Sequence, residues 1–291
     1  MRITGVFFSY LLACLVLAAL LAYPLVETGW VAVEPQRVMG RLAQVFMLLG
    51  FWTFLKQLRL ADRTSVGFGA AGRVLRRSVG LGWIQGTLIL VVLALALVAL
   101  QIRIPDADLE RWPVLASKAV QALIGGLVIG VLEEMFFRGA LYTAIRRRDG
   151  FVAAVVWSAF LYALVHFMKP GALPAGVPFD FAGSGRMLVG VFVDLFQWAH
   201  LDSMLALFAV GVFLALVRER TGHIGWCIGL HAGWVFVIQV SRRLTDGNPS
   251  APLAFLVGEY DGTIGLLAAA WIGSLALVFW IWSRQSRAPH P

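Results

Sequence analysis

The stretch VLEEMFFRGALY, residues 131–142, places Glu133 and Glu134 five and four residues before Arg138 in an otherwise apolar run. Immediately upstream lies ALIGGLVIGVL, so the acids fall inside a helix long enough to cross a bilayer. A charged side chain at the bilayer centre costs roughly 2.5–3.5 kcal/mol on insertion scales, so ionisable groups there are rare and mark function. Three of them within six residues require a use.

The rest of the chain sets the context for that segment. Its 291 residues are 60% hydrophobic and 14% charged, with mean hydropathy +0.82, and a water-soluble chain has no means to cover that much apolar surface. The expectation is an all-α polytopic membrane protein of about eight transmembrane helices forming one membrane domain. Apolar runs place the spans near 6–25, 39–54, 79–100, 116–145, 151–168, 201–217, 224–240 and 263–282. Residues 1–110 form variable N-terminal spans, 116–240 a core, and 263–291 the last span and tail. Between the fifth and sixth spans, residues 170–186 read as a Gly- and Pro-rich loop or re-entrant segment, followed by a short apolar segment, 187–199. Residues 241–262 read as a polar loop. The N-terminal run lacks a small-x-small cleavage site and reads as an uncleaved first helix.

The net charge of +8 is carried mostly by Arg in loops, which points to topology and the lipid bilayer, with no nucleic acid as partner. Most of the Lys and Arg fall on one side when both termini are cytoplasmic, so the expected orientation is N-in, C-in. The Arg/Ala/Leu-rich, Lys-poor composition suggests a bacterial cytoplasmic membrane. The basic stretch 56–77 contains GFGAAG without GxxxxGK[ST], which excludes a phosphate loop and leaves an anionic-lipid-facing amphipathic linker. Cys14 and Cys227 lie in apolar segments without CxxC spacing and read as buried thiols.

The ionisable residues of the apolar spans fall into sets. Glu134 and Arg138 are an i,i+4 pair with the acid N-terminal, the favourable order for a helical ion pair. Glu133, about 100° round the helix, is left without a partner on its own helix. His166 lies on the next span at a matching depth: Glu133 precedes Arg146 by about 20 Å of helix and His166 follows Phe151 by about 22 Å, at 1.5 Å per residue. Two antiparallel helices joined by a tight turn can therefore bring both to one pocket. His231, in IGLHAGWVF on the seventh span, is a third intramembrane group. A carboxylate and an imidazole can polarise a water while a second imidazole stabilises an oxyanion. The same His166, His231 and Glu133 also make a His₂Glu zinc set, but no HExxH helix accompanies them and Arg138 stands close to any cation. The expectation is therefore no cofactor, with a divalent metal such as zinc the less favoured reading. His200, Asp202 and Asp194 read as interfacial loop polarity, and His223 as loop.

EEMFFR (133–138), YALVH (162–166) and GLHAGWV (229–235) resemble the three motifs EExxxR, FxxxH and HxxxN of the CAAX-protease and bacteriocin-processing family of intramembrane glutamic-type endopeptidases. The resemblance covers roughly residues 120–240. It implies a fold of about eight helices, Glu133 as general base with His166, His231 at the oxyanion, and Glu134 with Arg138 holding the helix geometry. The sequence departs from the pattern twice: Tyr162 stands at the usual Phe and Val235 at the usual Asn. Val cannot donate to an oxyanion, which leaves His231 alone or helped by Trp234, Gln239 or a backbone N–H.

The reading is an intramembrane endopeptidase acting on a membrane-anchored, lipidated or sorting-tail protein or peptide. Val235 motivates an alternative, a non-catalytic immunity or maturation partner of the same fold. A proton-coupled transporter would use Glu133 and His166 as a relay, but the inverted repeat and broken helices it requires are not seen in the sequence.

Overall fold

In a bilayer the backbone must satisfy its own hydrogen bonds, so apolar runs of this length fold as helices. The computed structural model describes residues 2–195, 197–258 and 260–285; the tail beyond 285, part of the last expected segment, lies outside the described residues. Helix α1 spans Arg2–Glu27 and pairs with α2, Pro35–Gln57, which Pro35 opens at its first turn. Helix α3 is Gly72–Ala99 and α4 is Trp112–Glu134, again opened by a proline. A π-helix, Met135–Leu141, continues α4 directly into α5, Tyr142–Phe167. Within α5 the chain turns at Gly150 (φ 86°, ψ −177°), a conformation closed to side-chain-bearing residues, so the fourth and fifth passes fold back on each other. Helices α6 (Phe181–Leu195), α7 (Leu201–Thr221), α8 (Gly225–Leu244) and α9 (Leu266–Gln285) complete the chain.

Among the described residues, six stretches are long and apolar enough to cross a membrane; one of them, Trp112–Phe167, contains the turn at Gly150 and makes two passes. Helix α8 packs in the middle of the bundle, against α3 and α4. All-α polytopic membrane architecture follows directly.

Glycines bring α8 close to its two neighbours. A Cβ on Gly86 of α3 would stand 2.5 Å from the Leu230 carbonyl oxygen, and one on Gly126 of α4 would stand 2.9 Å from that of Ala232. Small residues at such crossings let helix backbones touch, which is how helices associate where lipid removes the hydrophobic drive. The consequence for the site is positional: α8 carries His231 into direct reach of the end of α4.

Three expectations change. The helix α6 starts at Phe181, inside the stretch expected to be loop, because Asp180 caps it: its carboxylate accepts the Gly183 N–H at 2.7 Å. The loop 241–262 is not wholly irregular; α8 runs to Leu244, and Thr245–Gly247 pairs antiparallel with Arg103–Pro105. Nothing local announces such a pairing across 142 residues, and buried Arg103 fixes it by donating to the Thr245 hydroxyl at 2.7 Å and the Gly262 carbonyl at 2.9 Å. The basic stretch 56–77, expected as an amphipathic linker facing anionic lipid, keeps its cations exposed but is also packed, with turns over residues 58–71. Its Leu60, Ser65 and Val66 are buried, and Val66 packs its backbone against Gly139 of the π-helix.

Candidate active site

The centre is built where α4 gives way to the π-helix. Glu133 and Glu134 occupy the last two positions of α4 and Arg138 lies in the wide turn that follows. A π-turn widens the backbone and releases carbonyls from the α pattern. One of them, the Arg138 carbonyl, accepts from Arg218 Nε of α7 at 3.1 Å, so a second buried guanidinium holds the turn open. Phe136 of the same turn contacts Phe7 and Phe51 edge-on and stacked, at 5.4 and 5.5 Å, which ties α1 and α2 to the site.

Glu134 and Arg138 are both fully buried and pair through Oε1 and Nη1 at 2.9 Å. The guanidinium also reaches the Gly211 carbonyl of α7 at 3.4 Å and lies 4.2 Å over the Tyr162 ring. A planar cation with a fork of donors and an affinity for aromatic faces suits this position. Glu134 has a second partner that the sequence did not signal: Oε1 also accepts from His231 Nδ1 at 2.8 Å.

Glu133 differs from its neighbour in accessibility, with 31% of its side chain exposed against none for Glu134. Its Oε2 faces His166 Nε2 at 3.7 Å and His231 Nε2 at 3.8 Å and has no hydrogen-bond partner. These separations exceed a direct hydrogen bond, so the three atoms border a common small space. The Nδ1 atoms are each spoken for: His166 Nδ1 meets the Tyr162 carbonyl at 2.7 Å and His231 Nδ1 meets Glu134. A carbonyl and a carboxylate only accept, so Nδ1 carries a proton in both rings and both Nε2 atoms turn toward Glu133. The depth match drawn from helix rise thus appears as proximity.

Two cavities flank this centre. One, about 430 Å³, is bordered by Glu133, Tyr162, His166, His231, Trp234, Val235 and Gln239. The other, about 290 Å³, lies toward α1 and α2 and is bordered by Leu11, Met47 and Phe136 with Glu133 and His166. Trp234 Nε1 is buried without a hydrogen-bond partner beside Val235 in the first cavity. Tyr162 contributes its ring face, 4.4 Å from the His166 ring. His200 lies apart, with Nδ1 on the Asp194 carbonyl at 3.0 Å, and Asp202 bonds the Ser203 N–H. His223 is a buried cap rather than loop polarity: Nδ1 accepts the Gly225 N–H at 3.1 Å at the start of α8. Cys14 and Cys227 are buried free thiols. Among the described residues no group of three His, Cys, Asp or Glu side chains is arranged to hold a metal ion.

The fold and the centre together define a class: a polytopic helical membrane protein with a carboxylate–imidazole cluster enclosed between its spans. Residues 115–237, which contain every residue of that cluster, match the family model described as Rce1-like, type II CAAX prenyl endopeptidase. Comparison with curated proteins and with solved structures gave no match.

Proposed function

We propose that the protein is an intramembrane endopeptidase that cuts near the end of a membrane-anchored, lipidated or sorting-tail substrate with water activated by Glu133 and His166. One observation carries the reading: Glu133 Oε2 converges with the Nε2 atoms of His166 and His231 at 3.7 and 3.8 Å beside a buried, self-neutralised Glu134–Arg138 pair. Glu133 takes a proton from water as the water oxygen bonds to the scissile carbonyl carbon. His166, its ring fixed by the Tyr162 carbonyl, orients that water through Nε2. The carbonyl oxygen becomes an oxyanion and accepts from His231 Nε2–H. With Nδ1–H given to Glu134, this donation uses the doubly protonated ring, whose charge faces the Glu134 carboxylate. Collapse breaks the C–N bond, and the proton on Glu133 passes to the leaving amine.

Val235 removes one oxyanion donor from the family pattern. Trp234 Nε1, buried and uncommitted beside it, supplies the missing N–H in this reading. No metal takes part, and loop arginines support an N-in, C-in orientation in a bacterial cytoplasmic membrane. Val235 also motivates a second reading, a non-catalytic partner that binds a processed peptide in the same cavity.

The test is cleavage of an S-farnesylated CAAX peptide by membranes carrying the protein. Glu133→Gln and His166→Ala should each lower the rate by about 10²–10⁴-fold, the usual worth of acid–base catalysis. Undiminished cleavage by either variant ends the proposal. Retained peptide binding with no cleavage by the unaltered protein selects the second reading.

A further inference from the structure

Beside the Gly150 turn, the C-terminal ends of α7 and α9 meet α5 around a pocket of about 250 Å³ bordered by Arg146, Glu219, Arg220, Ser283 and Arg284. Three more of its residues, Phe151, Leu216 and Trp280, also border an apolar groove of about 430 Å³ that continues between the same three helices. We propose that pocket and groove together hold one anionic phospholipid, its phosphate among the arginines and an acyl chain in the groove. The proposal does not rest on the cleavage reading. Pocket and groove share no bordering residue with the cavities at Glu133, and α9 lies outside the matched segment 115–237.

The charges of the pocket leave an anion wanting. Glu219 accepts from Arg146 Nη2 at 3.0 Å and from the Tyr142 hydroxyl at 2.7 Å, so its carboxylate is met within the protein. Arg220 and Arg284 are held by aromatic faces instead: their guanidinium carbons lie 5.5 Å from the Trp282 ring centre and 4.2 Å from that of Trp280. Among the described residues neither has a carboxylate within ion-pair distance. A guanidinium packed on a ring still has its in-plane N–H donors to give, and their fork matches the oxygens of a phosphate. Helix C-termini attract cations of themselves, so the arginines alone do not select a ligand. The groove does.

The groove is lined by small and apolar side chains, among them Val152 and Val156 of α5, Val212 of α7 and Gly273 of α9. Along α7 it runs from Leu216 back to Phe208, eight residues or about 12 Å of helix. The hydrocarbon core is ~30 Å thick, so the groove stays within one leaflet. A partner's membrane-spanning helix would continue through both leaflets, whereas a phospholipid ends within one and carries its charge at the surface. Val152 and Leu277 are 70% and 56% exposed, so the groove opens sideways to the bilayer. A Cβ on Gly273 would meet nothing within 4 Å, which leaves open space part-way along it. In the orientation proposed above this is the cytoplasmic leaflet, where basic pockets between spans take acidic headgroups.

The test titrates the purified protein in nonionic detergent with dioleoylphosphatidylglycerol or dioleoylphosphatidylcholine and counts bound lipid by native mass spectrometry. One phosphatidylglycerol should bind about tenfold or more tighter than phosphatidylcholine, as two arginines near the membrane surface warrant. Arg220→Gln with Arg284→Gln should bring phosphatidylglycerol down to the affinity of phosphatidylcholine, and the two lysine replacements should keep most of the preference. Arg284→Gln alone should lower it about fivefold, which keeps the test open if the double variant does not fold. Gly273→Leu, which puts a side chain into the open part of the groove, should weaken both lipids with an unchanged melting temperature. Glycerol phosphate in large excess should leave the bound lipid in place. Equal binding of the two lipids, a preference that survives the double glutamine change, or full affinity in Gly273→Leu overturns the proposal. So does displacement by glycerol phosphate, which would make the pocket a site for a soluble phosphate.

Discussion

Replacing Arg138 with methionine leaves Glu134 as a carboxylate at 0% exposure, with Oε1 held by His231 and Oε2 without a partner. Removing one member of a buried pair costs about 3–5 kcal/mol, because the remaining charge stays desolvated. The variant also loses the reach to Gly211 and the stack on Tyr162. Glu134→Gln combined with Arg138→Met removes both charges, and replacing a buried pair by uncharged groups is often close to neutral. At about 2–4 °C per kcal/mol, the single change should lower the melting temperature by roughly 6–20 °C and the double change by much less. Thermal unfolding in detergent micelles, followed by circular dichroism, reads both. A single variant that melts with the unaltered protein, or a double variant worse than the single, refutes the claim that the pair is an interdependent buried unit.

Other predictions follow from neighbouring contacts. Trp234→Phe keeps the ring that packs 6.0 Å from Phe213 but removes the buried N–H, and cleavage should fall by about 10²-fold with unchanged melting; an unchanged rate excludes the indole as oxyanion donor. Val235→Asn should raise the cleavage rate by restoring an amide donor beside His231, and a fall in rate with intact folding would contradict that assignment. Gly86→Leu forces α3 away from the Leu230 backbone and should cost at least about 1–3 kcal/mol together with cleavage; native stability would show that the crossing tolerates a side chain. His223 is neutral in its capping role, and burial with Arg218 nearby holds its pKa below 6.5. The unfolded chain binds that proton more readily, so stability should fall as pH drops below about 6.5 toward the lower folded value. In His223→Asn this part of the pH slope should vanish, as followed by melting temperature between pH 5 and 7.

The helical passes were legible because a bilayer imposes length and apolarity on each span, and the ionisable side chains stood out because charge is costly there. Matching Glu133 to His166 needed only helix rise and a tight turn. What the sequence withheld has particular causes. The π-turn at 135–141 leaves no periodic signature, so the hold of Arg218 on the Arg138 carbonyl was invisible. The His231–Glu134 bond joins residues 97 apart on helices whose approach depends on the backbone contacts at Gly86 and Gly126. The spacings GLGWIQG at 80–86 and GGLVIG at 125–130 carried that signal, since small residues four apart mark close helix crossings.

The central claim is that water bound against Glu133 and His166 breaks a peptide bond inside the membrane. It is tested most directly by incubating the purified protein in proteoliposomes with an S-farnesylated CAAX peptide in H₂¹⁸O and weighing the products. The account predicts one ¹⁸O in the newly formed carboxylate of the farnesylated fragment, at a rate that drops by about 10²–10⁴-fold in Glu133→Gln. Labelled product forming at the same rate in Glu133→Gln would contradict it.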